Sequence, residues 1–313
     1  MSLLAMTVLS FPEISPAVFQ IDLGFLGLGK FPIRWYALAY IAGLLLAWRY
    51  AIYMINRPQL FGGTSPATKD DIDDIIFYVM LGVILGGRLG YILFYQVPFQ
   101  ADRIASDPMM LLRVWEGGMS FHGGLIGVAL ALLYAARSRG LKLLNIADIA
   151  GVVTPIGLLL GRTANFINAE LYGRHTESSF GMVFPESNQG GTPPAYNWDS
   201  GEWVYSGLEM ARHPSQLYEA GLEGLLPLIL ISVLVLRFRI LERPGLAAGI
   251  FLILYGVGRS IAEQFREPDQ HINFIAGDWL TMGMLLSLPV WIGGAYLLWQ
   301  GFKTKPATDT AKA

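Results

Sequence analysis

The most informative stretch of the sequence is the run Gly161-Arg162-Thr163-Ala164-Asn165-Phe166-Ile167-Asn168-Ala169-Glu170-Leu171-Tyr172-Gly173. It follows directly on the apolar stretch 146–160, so an arginine, two asparagines and a glutamate fall where an apolar helix ends. Polar groups are costly to hold near hydrocarbon, and those found there usually bind or catalyse something. Arg88 and Arg259 stand in the same setting, each after a glycine and near the end of an apolar run. Guanidinium stays charged and offers a planar fork that fits phosphate. A cation at the C-terminal end of a helix also complements the helix dipole. Leucine-rich walls beside it suit acyl chains, so the chemistry implied is recognition of an anionic phospholipid head group. The plainer alternative is that Arg88, Arg162 and Arg259 pair with glutamates or backbone carbonyls and only orient helices. Glu263, four residues after Arg259, is placed as an i,i+4 partner and reads as a support for Arg259 rather than a catalyst.

An ionisable catalyst is sought among His122, His175, His213 and His271. Only His122 lies inside an apolar, glycine-rich run, where a neutral imidazole can take a proton near pH 7. Gly123, Gly124 and Gly127 are expected to leave room for a substrate beside the ring; a histidine hydrogen-bonded within the core is the alternative. Tyr36 follows Trp35 at the start of an apolar run, and an interfacial aromatic belt accounts for it. His213, in the turn Arg212-His213-Pro214-Ser215, is expected to cap the helix that follows. The chain has no cysteine, which excludes disulfides, thiolate metal sites and a cysteine nucleophile. There is no His-Glu-x-x-His, no Gly-x-Ser-x-Gly, no P-loop, and no histidine with aspartate five residues later. No metal or cofactor is expected.

These residues need apolar elements to position them. The mean hydropathy is +0.46, and 53% of residues are hydrophobic against 15% charged, which does not describe a soluble domain. Apolar residues cluster in seven runs: 35–54, 75–95, 119–136, 146–160, 217–236, 245–261 and 279–299. About 20 helical residues cross a hydrocarbon core of about 30 Å, so the fourth and sixth runs must borrow flanking residues. The fold class expected is an all-α polytopic membrane protein with seven transmembrane helices. Arg49, Arg57, Lys69, Arg137, Arg139, Lys142, Arg237, Arg239, Arg243, Lys303, Lys305 and Lys312 fall on one side, on short connectors and the tail, and the positive-inside rule makes that side cytoplasmic. The N-terminus is then outside and the C-terminus inside. Residues 1–303 read as one membrane domain, with 163–216 a small extracytoplasmic head whose 190–207 stretch holds strands or turns. The tail 304–313 reads as disordered, and residues 1–19 do not read as a cleaved signal peptide. A net charge of −2 and the lack of a basic stripe argue against nucleic acid. In this topology Arg88, Arg162, Arg259, Trp35-Tyr36, His122, Arg212-His213 and Asp278 converge on the outer face, where scattered structural charges have no reason to gather.

The Gly161–Gly173 run fits the signature Gly-Arg-x-Gly/Ala-Asn-Phe-apolar-Asn-x-Glu-x-x-Gly of the prolipoprotein diacylglyceryl transferase family without departure at a fixed position. His122-Gly123-Gly124-Leu125-Ile126-Gly127 fits that family's second hallmark. Trp35-Tyr36, Gly86-Gly87-Arg88, Arg113-Val114-Trp115-Glu116-Gly117-Gly118-Met119-Ser120, Arg212 to Glu219, and Arg259 through Glu263 to Arg266 extend the agreement over roughly 10–300, with 188–203 unmatched. The chain thus resembles a family of multi-pass enzymes of the bacterial inner membrane.

The resemblance implies transfer of the diacylglyceryl group of phosphatidylglycerol to the lipobox cysteine of a preprolipoprotein, with release of glycerol-1-phosphate, at an active site facing the outer leaflet. The protein is expected to act as a monomer. On this reading His122 is the base, Arg162 and Arg259 stabilise the departing phosphate, and Tyr36 moves from belt residue to site residue. Asn165, Asn168 and Glu170 position the head group or support the arginines, with Arg88 and Glu263 in the same binding set. Gly173 allows a sharp turn or a close lipid approach. Two other classes stay open on the residues alone: a flippase for an anionic lipid, whose arginines also line a path, and a structural membrane subunit whose arginines brace helices.

Overall fold

The computed structural model describes residues 8–27, 29–99, 101–113, 117–185, 196–207, 209–267, 274–276 and 280–304. Asp278, His271, the 114–116 part of the Trp115 motif, part of the head loop and nearly all of the tail lie outside the described residues.

Each apolar run carries a helix. They are α1 (Trp35–Ile55), α2 (Lys69–Tyr91), α3 (Phe121–Ser138), α4 (Leu143–Ile167), α5 (Ser215–Phe238), α6 (Leu246–Ala262) and α7 (Met282–Lys303). Among the described residues, five helices are long and apolar enough to cross a membrane: α1, α2 extended to Phe94, α4, α5 and α7. The 17-residue α6 is shorter. The chain is mostly helical with several candidate spans, as a polytopic membrane protein requires. α4 does borrow flanking residues, so Gly161–Ile167 forms its last two turns and the signature straddles a helix end. α6 borrows almost nothing. α2 starts six residues before its apolar run because Thr68 and Asp71 form a capping box: Asp71 N–H donates to Thr68 Oγ1 at 3.2 Å and Thr68 N–H to Asp71 Oδ2 at 2.8 Å.

Glycines set how the helices pair. Gly82, Gly86 and Gly90 of α2 face Gly123 and Gly127 of α3, and a Cβ on any of them would meet the opposite backbone. Such small-residue stripes let two helices pack backbone against backbone. The space beside Gly123 and Gly127 is therefore filled by α2 rather than left for a substrate; Gly124 alone meets nothing closer than Val83 O, at 3.8 Å. Gly224 of α5 sits on Leu159 of α4, and Gly258 of α6 on Leu222 of α5. These two contacts draw α4, α5 and α6 together at the end that carries Arg162.

At the opposite end lies an apolar core that includes Met54, Ile146, Val152, Ile231 and Val235. Beside it, buried Asp148 of α4 accepts from the backbone N–H groups of Gly245 and Ala248, at 2.6 and 2.8 Å, and so caps α6 from a neighbouring helix.

Short strands gather at the Arg162 end. β1 (Leu9–Ser10) pairs in parallel with β4 (Met182–Val183), β2 (Ala17–Asp22) forms a hairpin with β3 (Lys30–Arg34), and β5 (Tyr196–Asn197) forms one with β6 (Glu202–Trp203). A further pair joins β7 (Phe274–Ala276) and β8 (Leu280–Thr281). Phe11, Phe166, Tyr172, Met182, Phe184 and Trp203 make a second small core. The head is thus completed by the N-terminal segment, a contribution that 163–216 alone does not contain.

Candidate active site

The C-terminal turns of α4 and α6 meet the N-terminal turns of α5. Arg162 Nη2 lies 2.8 Å from Glu219 Oε2 and 3.4 Å from Glu223 Oε2. Arg259 Nη1 lies 3.2 Å from Glu219 Oε2 and 3.6 Å from Glu223 Oε1, while its Nη2 meets Glu263 Oε2 at 2.9 Å. Arg266 Nη1 joins at 3.4 Å from Glu219 Oε1. Three arginines and three glutamates therefore form one cluster. Arg162 and Arg259 sit near the C-terminal ends of α4 and α6 and Glu219 near the start of α5, where the helix dipoles favour them, whereas Glu263 sits at the C-terminal end of α6. Glu219 is 1% exposed and Glu223 fully buried. Burying ions carries a large desolvation cost that pairing only partly offsets, so a cluster of this size is retained for binding or chemistry more readily than for stability.

α5 passes through a π-helical segment at Ala220–Leu225, between and around the two glutamates. The wider turn is a common mark of a functional position. Glu219 and Glu223 were not singled out in the sequence. The available signal was two carboxylates four apart at the head of an apolar run.

Beyond α4 the signature folds into a tight loop. Asn168 closes the helix, and Ala169 and Leu171 take left-handed backbone, φ 52° and 58°. This conformation costs a non-glycine residue energy, and it persists only where surrounding contacts enforce it. Those contacts are Ser215 Oγ donating to Leu171 O at 3.1 Å, Gln216 Nε2 donating to Glu170 O at 2.6 Å, and Gly173 N–H donating to His213 O at 2.8 Å. Between the two strained residues, the Glu170 carboxylate accepts from Asn165 Nδ2 at 2.8 Å and from Asn168 Nδ2 at 3.5 Å. Tyr36 at the head of α1 is within electrostatic reach of Glu170 and Arg162. Its hydroxyl is 2.9 Å from that of Tyr40.

Three residues serve differently from expectation. Arg88 is buried on backbone carbonyls: its Nε donates to Leu111 O at 2.9 Å, its Nη1 to Gly117 O at 2.7 Å and to Gly118 O at 3.1 Å, and its Nη2 to Met110 O. Its guanidinium braces α2 against the loop before α3, as the carbonyl-pairing alternative describes. Gly173 is required by the crossing of two chain segments, because a Cβ there would collide with Phe265 O and press on His213; a lipid does not fill that space. His213 does not cap α5, whose N-cap is Pro214 with no side-chain bond. Instead His213 Nδ1 lies 3.3 Å from Tyr218 Oη, and its ring packs on Phe265 with centroids 5.1 Å apart. Burial lowers the His213 pKa from its ordinary value.

His122, half-buried, stands in the first turn of α3, where the Ser120 side chain caps the helix by accepting from Gly123 N–H at 3.2 Å. Its helix packs mainly on α2 through the glycine stripes and also touches α4, the helix that carries Arg162. Arg212, at the foot of the head, pairs with Glu267 and donates to Gly173 O at 3.1 Å.

A family model described as prolipoprotein diacylglyceryl transferase matches residues 24–300. The phosphatidylglycerol–prolipoprotein diacylglyceryl transferase of Bradyrhizobium diazoefficiens is 43% identical over 293 residues, 93% of each chain. That of Rhizobium meliloti is 43% identical over 294 residues, 94% of each chain. That of Methylocella silvestris is 45% identical over 291 residues, 93% of this chain and 95% of the relative.

Proposed function

Because the chain belongs to the prolipoprotein diacylglyceryl transferase family, we propose that its arginine–glutamate cluster is the head-group site of the transferase reaction. The enzyme transfers the diacylglyceryl group of phosphatidylglycerol to a prolipoprotein, the first step of lipoprotein maturation. The observation that carries the site assignment is the state of Arg162. Its Nη2 is held by two buried glutamates, while its Nε and Nη1 have no partner among the described residues. The fork is fixed from behind and keeps donors for a phosphate.

That placement supports a chemistry in which each residue has a role. His122 takes the proton of the lipobox thiol, because only a few per cent of a free thiol is thiolate at pH 7. The thiolate attacks the diacylglycerol carbon that carries the phosphate oxygen. A carbon–sulfur bond forms, the carbon–oxygen bond breaks, and its electron pair leaves on glycerol-1-phosphate. Arg162 and Arg259 meet the added negative charge, a preorganised effect worth several kcal/mol in a water-poor site. Asn165, Asn168 and Glu170 hold the head group, Glu263 steadies Arg259, and Tyr36 flanks the cluster. All seven helices span the bacterial inner membrane, with the cluster at the outer leaflet, the C-terminus cytoplasmic and the protein a monomer.

The test is glycerol phosphate release from phosphatidylglycerol vesicles by the purified protein with a lipobox peptide. Release must require the peptide's cysteine and disappear with a cysteine-to-serine peptide. Transbilayer movement of labelled lipid without product would support a flippase instead. His122→Gln, folded but inactive, supports the base; undiminished release from it moves the base elsewhere.

A further inference from the structure

Gln216 opens α5 and is 1% exposed. Its Nε2 donates to Glu170 O at 2.6 Å, which fixes the amide's orientation, yet its Oε1 is buried without a hydrogen-bond partner among the described residues. Asn168 repeats the pattern: its Nδ2 reaches Glu170 Oε1 at 3.5 Å while its Oδ1 is buried and unpaired. Buried carbonyl oxygens are nearly always paired, and an exception calls for a reason. Both amides spend their donor on Glu170 and keep an acceptor for something else. Gln216 also stands three residues before Glu219, one turn along the same face of α5, and Glu219 holds Arg162 at 2.8 Å. A neutral acceptor therefore stands one helical turn from the glutamate that holds the Arg162 fork. The matching ligand is a phosphate with a hydroxyl donor a few bonds away.

We propose that Gln216 is a specificity-determining residue, whose Oε1 accepts a hydrogen bond from a hydroxyl of the substrate's glycerol head group. The proposal rests on the transferase reading above and adds what selects the lipid. A choline head group has no donor to offer. An ethanolamine head group would bring a second cation beside Arg162. A glycerol head group supplies a neutral hydroxyl and leaves the guanidinium to the phosphate. Sites built to pair a substrate hydroxyl reject analogues that lack it, because their own polar atoms are then left unpaired.

The experiment compares phosphatidylglycerol with phosphatidylpropanol, which carries the same charge and no head-group hydroxyl, in the peptide-dependent assay. Wild type is expected to prefer phosphatidylglycerol by roughly 10-fold or more in kcat/KM. Gln216→Met is expected to lose activity on both lipids, because it also gives up the bond to Glu170 O, but to lose about 10-fold more on phosphatidylglycerol than on phosphatidylpropanol, so that its preference collapses toward one. Equal losses on both lipids would make Gln216 a structural support and overturn the proposal. A raised KM for the peptide with the lipid preference intact would assign the oxygen to the peptide backbone, and overturn it as well. Should Gln216→Met fail to fold, the wild-type comparison still decides: equal rates on the two lipids contradict any hydroxyl-reading residue. Failure of the underlying reading looks different, as wild type would then give no cysteine-dependent product from phosphatidylglycerol.

Discussion

Glu219 touches all three arginines of the cluster, so it is the side chain whose loss leaves most charge uncompensated. Removing one partner of a buried ion pair costs about 3–5 kcal/mol. Glu219→Gln is therefore expected to lower the thermal unfolding midpoint in detergent clearly and to reduce activity, whereas an unchanged midpoint would mean that the cluster is far wetter than its burial implies. His213 gives the pH dependence. Its pKa is lowered in the folded state by burial, so the unfolded chain binds its proton more readily. Folded stability attributable to this group is intact above about pH 6.5 and is lost as pH falls through that value and below. His213→Gln should flatten the fall in stability between about pH 7 and 5, which unfolding at a series of pH values measures. Residue types told the reader where Arg162, Arg259, Asn165 and Glu170 would gather, because polar groups at the end of an apolar run are few. They hid Glu219 and Glu223, which read as the start of the next run. They also could not show that Arg88 is taken up by carbonyls, because backbone acceptors carry no mark in a sequence.

At the scale of elements, the α2–α3 contact is a backbone-to-backbone seam. A Cβ at Gly127 would collide with Gly82 O, whereas one at Gly157 meets nothing within 4 Å. Gly127→Ala is expected to destabilise by about 1–3 kcal/mol, the usual cost of overpacking. Gly157→Ala should be neutral or slightly stabilising, since alanine is the better helix former. Thermal unfolding of the two variants side by side checks both. A mostly helical chain with several apolar spans was legible from the apolar runs, with errors where other forces set the end: a capping box started α2 early, and the polar signature carried α4 past its apolar run. The head was less legible. Its strands are two to six residues long, and β1 pairs with β4 across more than half of the chain, a contact that no local pattern announces.

At the scale of the whole molecule, the absence of cysteine makes single introduced thiols unambiguous reporters of sidedness. Ser179 of the head and Ser138 at the end of α3 are both exposed. With the proposed orientation, Ser179→Cys reacts with a membrane-impermeant maleimide in intact spheroplasts, and Ser138→Cys only after permeabilisation; the reverse pattern would invert the topology. The whole account places the departing phosphate on a guanidinium fork held by buried carboxylates, a geometry that a single-point ammonium cannot reproduce. The most direct measurement is therefore kcat for cysteine-dependent glycerol phosphate release by Arg162→Lys against wild type, with both shown to be folded by unfolding midpoint. The account predicts a loss of about 10²-fold or more in kcat, as for removal of a preorganised charge-stabilising donor. A folded Arg162→Lys enzyme with a wild-type kcat would contradict it, and would leave the cluster as a brace between α4, α5 and α6.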